Sequence, residues 1–473
     1  MPTVIENGTV IAWNGEAHHV LDPGVVVFDG DEITFVGTDY DGPADQTIDA
    51  TGRLVVPGFV NCHLHLTDTP FTKGHQEDVG SPRGPGNYQN YNALYKMLPG
   101  VRKASLPEDQ YAGVQVALAE LLLSGSTTIV ELGYDFEIGG DGDIAITETI
   151  ADLIGASGIR CYTGPRYRTR HYGADASGGV FYKDYPGDAA KKRFEACVRF
   201  CQDFNGRYGD RLRTLLAPGQ IDTCDAQLLK DTRRFADELK VPIQIHAGQS
   251  PMEFSRVGET EGRTSIEYMM ETGLLGPDFI IGHGQFMTGD GDVSSMAAHE
   301  LEALTSSGTS VCHLPWVKAR RGGVINSIQK YQDMGVRQCL GTDNYPLDMF
   351  HEMQCAAVVC KIVEKSSIAA DCNFMFRMAT VGGAEALGRP DLGRLAAGCK
   401  ADIVFVRIDT PKAAPVYDPF KFMVLAASGD DVDRVIVGGE TVVDKRDVKT
   451  IDVAAAVTRV NAASKGVWER LDI

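Results

Sequence analysis

Residues 57–66 read PGFVNCHLHL, and this stretch decides how the rest of the chain is understood. An apolar run, Leu54, Val55, Val56, Phe59 and Val60, leads into it and gives out at His63 and His65. Strand side chains alternate between faces, so two histidines one residue apart point the same way, as two ligands of one metal ion must. A bare His-x-His is common by chance, and two half-buried histidines at a strand end explain it as well. The reading therefore turns on whether other strands end in further donors.

Strand-like runs recur at 127–132, 159–164, 212–218, 242–247, 279–283, 310–314 and 337–343. Helix-spaced apolar residues separate them, such as Ala112, Val116, Ala119 and Leu123, and later Leu228, Phe235 and Leu239. With the run that carries His63 the alternation predicts an α/β chain folded as a (β/α)8 TIM-like barrel, whose active sites form at the carboxyl ends of the strands. Strand five ends in His246 (PIQIHAG), six in His283 (FIIGHG), seven in His313 (VCHLP) and eight in Asp343 (QCLGTDN). Each has a bland reading as a core histidine or a capping aspartate. Their joint placement at one barrel mouth favours a site.

Outside the barrel, 2–56 holds short strand-like runs parted by Asn14-Gly15, Asp29-Gly30 and Gly37, and the texture returns in ADIVFVR (401–407) and VDRVIVGGETVV (432–443). These predict a small β-sandwich built from both termini around the inserted barrel. The expected divisions are 1–56 and 391–450 for the sandwich, 57–390 for the barrel and 451–473 for a C-terminal helix, which offers a surface for a homo-oligomer.

The 473 residues carry a formal charge of −19, which argues against nucleic acid or an anionic membrane as partner. The N-terminus lacks a basic segment followed by an apolar core, and no apolar run approaches the ~20 residues of a membrane span, so a cytoplasmic protein is expected. Eleven cysteines without a CxxC pair read as reduced, mostly buried thiols.

With these motifs together the chain resembles the amidohydrolase superfamily nearly end to end: PGFVNCHLH, the histidines closing strands five and six, LGTD, and TVGGAEALG (380–388) leading into GRLAAGCKADIVF (393–405). Residues 215–220 read LLAPGQ, so the bridging lysine of two-metal members has no candidate at strand four. The resemblance is to the one-metal branch, which includes cytosine, guanine and adenosine-type deaminases and triazine hydrolases. It implies one divalent ion held by His63, His65, His246 and Asp343, zinc by default with iron, cobalt or manganese as alternatives, and His283 bonded to the ion's water. Asp343 and His283 are then the acid–base groups, and His313 is open between ligand and holder of a substrate carbonyl.

Two departures from that branch matter. Its deaminases carry a glutamate three residues after the strand-five histidine, where this chain has Gln249; an amide cannot shuttle a proton in that manner. Glu253 matches a second glutamate of the motif and is read as structural. Strand seven continues as HLPWVKARRGG in place of an Asn or Ser-Asn pattern, and its Lys318, Arg320 and Arg321 are read as solvated or salt-bridged.

The long Gly-, Pro- and Tyr-rich segment after strand one suits a lid, with Tyr88, Tyr91 and Tyr95 as candidate pocket aromatics. Arg166, Tyr167, His171 and Tyr172 after strand three, with Gln249 and Trp316, complete the candidate substrate contacts. They suggest a small, neutral, aromatic molecule. Within the branch the combination looks most like the phenylurea hydrolases and the related molinate (thiocarbamate) hydrolase. That likeness implies hydroxide formed on the metal attacking the carbonyl of an N-aryl-N′,N′-dialkyl urea, a herbicide-type substrate, to release an aniline. The alternatives are an aminohydrolase or chlorohydrolase acting on a triazine, purine or pyrimidine ring, and a non-catalytic relative that retains only the barrel.

Overall fold

The computed structural model describes residues 2–73, 91–133, 144–175 and 179–471. The deciding stretch is two strands, with the break at Gly58. Arg53–Pro57 pairs antiparallel with Ile403–Arg407 and parallel with Pro2–Trp13, whereas Phe59–Leu64 pairs parallel with Ser126–Glu131. A Cβ at residue 58 would lie 2.0 Å from Thr127 Oγ1, so only glycine lets the chain cross between the two sheets here.

Eight parallel strands follow, each overlapping one of the predicted runs. Phe59–Leu64, Ser126–Glu131, Arg160–Thr163 and Leu212–Thr214 form one four-stranded sheet; Ile243–Ala247, Phe279–His283, Ser310–His313 and Arg337–Leu340 form another. Isolated parallel bridges, Leu216 to Ile243 and Leu64 to Asp343, link the two sheets at both edges. The arrangement is a TIM-barrel-type α/β fold whose ladder is interrupted rather than continuous. Strands one, two, five and six are buried at every residue, polar ones included, because helices cover them outside and side chains fill them inside. The expected helices appear as Pro107–Leu123 and Ala226–Leu239.

The terminal segments differ from expectation. They form one nine-stranded mixed sheet and not a sandwich of two sheets. The reason is Arg53–Pro57, which hydrogen-bonds on one side to Pro2–Trp13 and on the other to Ile403–Arg407, so that N- and C-terminal strands share one ladder. One face of that sheet buries Ile5, Val10, Phe28, Ile403 and Phe405. The C-terminal helix Val453–Arg470 lies on Pro107–Leu123, with Val460 and Val467 packed among Phe71, Val101 and Ala112, so its apolar face is covered by its own chain. All eleven cysteines are free thiols, ten of them buried. Among the described residues no helix is long and apolar enough to cross a membrane.

Candidate metal centre and active site

Four strand ends bring donors to one point. His63, His65 and His246 offer ring nitrogens within 4.8 Å of one another, as do His63, His283 and the Asp343 carboxylate, and all five residues are buried. His65 Nε2 lies 3.2 Å from His246 Nε2 and 3.4 Å from Asp343 Oδ1. Strand one and strand eight are locked at this point, since His65 N donates to the Asp343 carbonyl and Asp343 N to that of His63, each at 2.9 Å.

Hydrogen bonds behind the rings fix which nitrogens face inward. His246 Nδ1–H donates to the Gly219 carbonyl at 2.7 Å, leaving Nε2 as a bare lone pair. Gln244 Nε2 donates to the Cys62 carbonyl at 2.7 Å, which turns Gln244 Oε1 toward His63 Nδ1 at 3.1 Å and makes that nitrogen a donor. His63 Nε2 is then also a bare lone pair, buried and without a hydrogen-bond partner among the described residues. Converging unprotonated nitrogens repel unless a cation lies among them, and a second shell of this kind is what orients metal-ligating histidines. The donor set therefore fits one divalent ion.

Electrostatics agree. Burial, opposed by the Gln244 bond, drives the His63 pKa down to about 3. His65 and His246 fall well below the usual range, chiefly through burial, with Arg166 next for the first and His63 next for the second. Rings that stay neutral across ordinary pH are competent ligands without losing a proton first. Burial lifts Asp343 to about 6 against the pull of Arg321, Lys318 and Arg320. His283 is held neutral by burial and then by Lys318, and neither of its buried ring nitrogens has a hydrogen-bond partner among the described residues.

Backbone strain marks the same residues. His283 (φ 78°) and Asp343 (φ 59°) both adopt left-handed backbone at the ends of their strands, which costs side-chain-bearing residues on the order of 1–3 kcal/mol. A pocket opens outward from the cluster, with His65, His246, Asp343, Gln249, Arg166 and Arg321 on its wall.

Several expected contacts lie elsewhere. Tyr167 is fully buried, its hydroxyl 2.9 Å from Thr232 Oγ1 and its ring on Phe194 in the helix layer. His171 stacks beside Tyr185 on a surface hairpin. Their neighbours Arg166 and Tyr172 reach the pocket instead, because adjacent strand residues face opposite ways. His313 Nε2–H donates to Gln338 Oε1 (2.8 Å), and the ring packs on Tyr331, away from the ligand cluster. Trp316 leans on His351, with its backbone N–H on Glu352 at 2.9 Å. Tyr88 lies outside the described residues, as does the side chain of Tyr91. Tyr95 is buried against Tyr172.

At the strand-five loop Gln249 lines the pocket, and Gln220 Nε2 donates to its Oε1 at 2.9 Å. Glu253 does not take its place. Its carboxylate accepts from the backbone N–H groups of Gly248 (2.6 Å) and Gln249 (3.1 Å), closing the loop from below. The basic run after strand seven departs from the solvated reading: Lys318 and Arg321 are buried at the site. Sequence reasoning also missed Gln244. Its position two residues before His246, on the same strand face, was the available signal.

A model of the amidohydrolase family matches residues 54–442. A 5-methylthioadenosine/S-adenosylhomocysteine deaminase of Natronomonas pharaonis is 31% identical over 428 residues, covering 90% of this chain and 89% of that protein. Among solved structures, an adenosine deaminase from Xanthomonas campestris with bound zinc superposes with a TM-score of 0.83 at 22% identity, covering 99% of this chain and 98% of the other. A triazine hydrolase variant does so at 0.84 and 22%, covering 98% and 99%. Likeness to these two structures speaks for the shared fold alone.

Proposed function

The chain belongs to the amidohydrolase family and is a hydrolase of carbon–nitrogen bonds other than peptide bonds, and on that premise we propose that it is a metal-dependent aminohydrolase that releases an exocyclic nitrogen from a small heteroaromatic molecule. The observation that carries the hydrolytic chemistry is the convergence of three neutral imidazoles and one carboxylate, with bare nitrogens facing inward. A divalent ion held by His63, His65, His246 and Asp343 would bring the pKa of a bound water toward neutrality. Asp343 accepts the proton that water gives up on attack, and its raised pKa suits a group that passes that proton on. His283, neutral and with both nitrogens available, orients the water or polarises the atom under attack. The substrate class rests on the relatives, one of which is named a deaminase of methylthioadenosine and S-adenosylhomocysteine. This revises the expectation from sequence, in which an N-aryl urea stood first and ring amines second.

One observation favours a second reading, hydrolysis of an amide or urea carbonyl. Gln249 faces the pocket where a proton carrier to a ring nitrogen would stand, and Glu253 is committed to two backbone N–H groups. A carbonyl substrate needs a hydrogen-bond donor there and not an acid.

Product analysis decides. Metal-loaded protein is incubated separately with methylthioadenosine, guanine, a chlorotriazine, a phenylurea and a thiocarbamate, and ammonia, chloride, aniline and thiol are assayed. Ammonia from a purine, abolished by His246→Ala, supports the aminohydrolase. Aniline or thiol without ammonia overturns it in favour of carbonyl hydrolysis.

A further inference from the structure

Gln249 is held at three points. Its backbone N–H rests on Glu253, its side-chain oxygen on Gln220, and its backbone carbonyl accepts from Lys318 Nζ. Among the described residues nothing takes its side-chain NH2, on a residue that lines the pocket beside His246. The bond from Gln220 fixes which way the amide is turned and leaves its NH2 free to donate.

Lys318 is the unusual anchor. It sits on the short helix Pro315–Ala319 after strand seven, is 5% exposed, and spans to the strand-five loop. No described carboxylate lies within ion-pair distance of its Nζ; the Phe286 ring lies 5.5 Å away, and the Asp343 and Glu253 carboxylates act on the amine from beyond that contact range. Burying an ammonium on one carbonyl is unfavourable, and an apolar side chain of the same length fills the space at lower cost. Fold stability does not explain a lysine here, whereas the loop it holds carries a pocket residue. Burial, with Arg321 next, lowers its pKa to about 7, and charged or neutral the amine still has an N–H to donate.

We propose that Lys318 is a positioning residue of the reaction: by gripping the Gln249 carbonyl from behind, it fixes the strand-five loop so that the Gln249 NH2 is aimed at an acceptor atom of the substrate. The proposal rests on the reading that this pocket hydrolyses a small molecule. Gln249 touches the substrate, and Lys318 acts through it.

The test is a double-mutant cycle on metal-loaded protein with whichever substrate of the product analysis turns over, using Lys318→Met, Gln249→Leu and the pair. Lys318→Met should keep metal stoichiometry and melt no lower than the wild type at pH 7 while lowering kcat/KM about tenfold or more. The pair should be no worse than Gln249→Leu alone, and Lys318→Gln, which retains an N–H donor, should recover part of the loss. Effects that multiply in the pair, or a Lys318→Met protein that loses stability but keeps kcat/KM, overturn the proposal. Should no substrate turn over, the hydrolytic reading fails while this inference is still tested by crystal structures of Lys318→Met and Lys318→Gln. Gln249 displaced from Gln220 in the methionine variant and retained in the glutamine variant supports it. Gln249 unmoved in the methionine variant overturns it.

Discussion

At the scale of single residues, the ligand cluster depends on glycines as much as on histidines. A Cβ at Gly282, the residue before His283, would lie 2.7 Å from both Cε1 and Nδ1 of the His63 ring. That ring cannot yield, because its Nδ1 is bonded to Gln244 and its backbone is locked to Asp343. Gly282→Ala should therefore fold, yet bind its ion at least tenfold more weakly in competition with a chelator; unchanged affinity would mean the ring has room the structure does not show. Lys318 has a pH signature of its own. Unfolded, a lysine keeps its proton to about 10.4, while burial brings the folded value to about 7. Between those values the unfolded chain binds more protons, so this residue makes stability rise with pH, by at most about 1.4 kcal/mol per unit. Below pH 7 both states are protonated and the burial penalty is constant. Urea unfolding of metal-loaded wild type and Lys318→Met at pH 7 and pH 9 should show the wild type gaining on the variant, and parallel curves would refute the assignment.

At the scale of elements, alternation explains both what the sequence revealed and what it concealed. His63 and His65, and the donors ending strands five, six and eight, were legible because period-two alternation and strand ends are written in the order of residues. The same parity, applied to Arg166-Tyr167 and His171-Tyr172, would have allowed only one of each pair into the pocket. The burial of Lys318 and Arg321 was illegible, since a basic run gives no sign of which strand-end loop will fold over it. The single terminal sheet was hidden for a related reason: pairing of Arg53–Pro57 with two distant partners is tertiary and leaves no local trace. That sheet is tied to the parallel strands by Arg160, on strand three, whose guanidinium donates at 3.1 Å to both carboxylate oxygens of Asp402, itself also accepting from Gly438 N. Both partners are buried. Asp402→Ala leaves a buried guanidinium and a backbone N–H uncompensated and should cost about 3–5 kcal/mol in denaturant unfolding. Activity per folded molecule should stay at the wild-type level, because the pair lies at the opposite ends of the strands from the ligands.

At the scale of the whole molecule, the ligands are also the closure. Hydrogen-bonded pairing runs through strands one to four and five to eight, but among the described residues the backbone ladders of the two sheets are joined by isolated bridges, and one of these, Leu64 to Asp343, lies at the ligand cluster. An ion held by His63 and His65 of strand one, His246 of strand five and Asp343 of strand eight, as proposed, would span both sheets. Its binding free energy would then add to the stability of the whole assembly of strands, about 4 kcal/mol when free ion stands near a thousandfold above its dissociation constant. For a chain of this length that corresponds to a rise in melting temperature of roughly 5 °C. Chelation should lower the melting temperature by about that amount, stoichiometric zinc should restore it, and His246→Ala should abolish the response. Hydrogen exchange should locate the effect: amides of His65, Asp343 and Gly284, whose bonds cross neighbouring strand ends, should lose protection in the metal-free protein while those of the terminal sheet stay unchanged. Uniform loss of protection would mean the ion stabilises the chain globally without acting as the seam, and no change at all would place the ion outside this cluster.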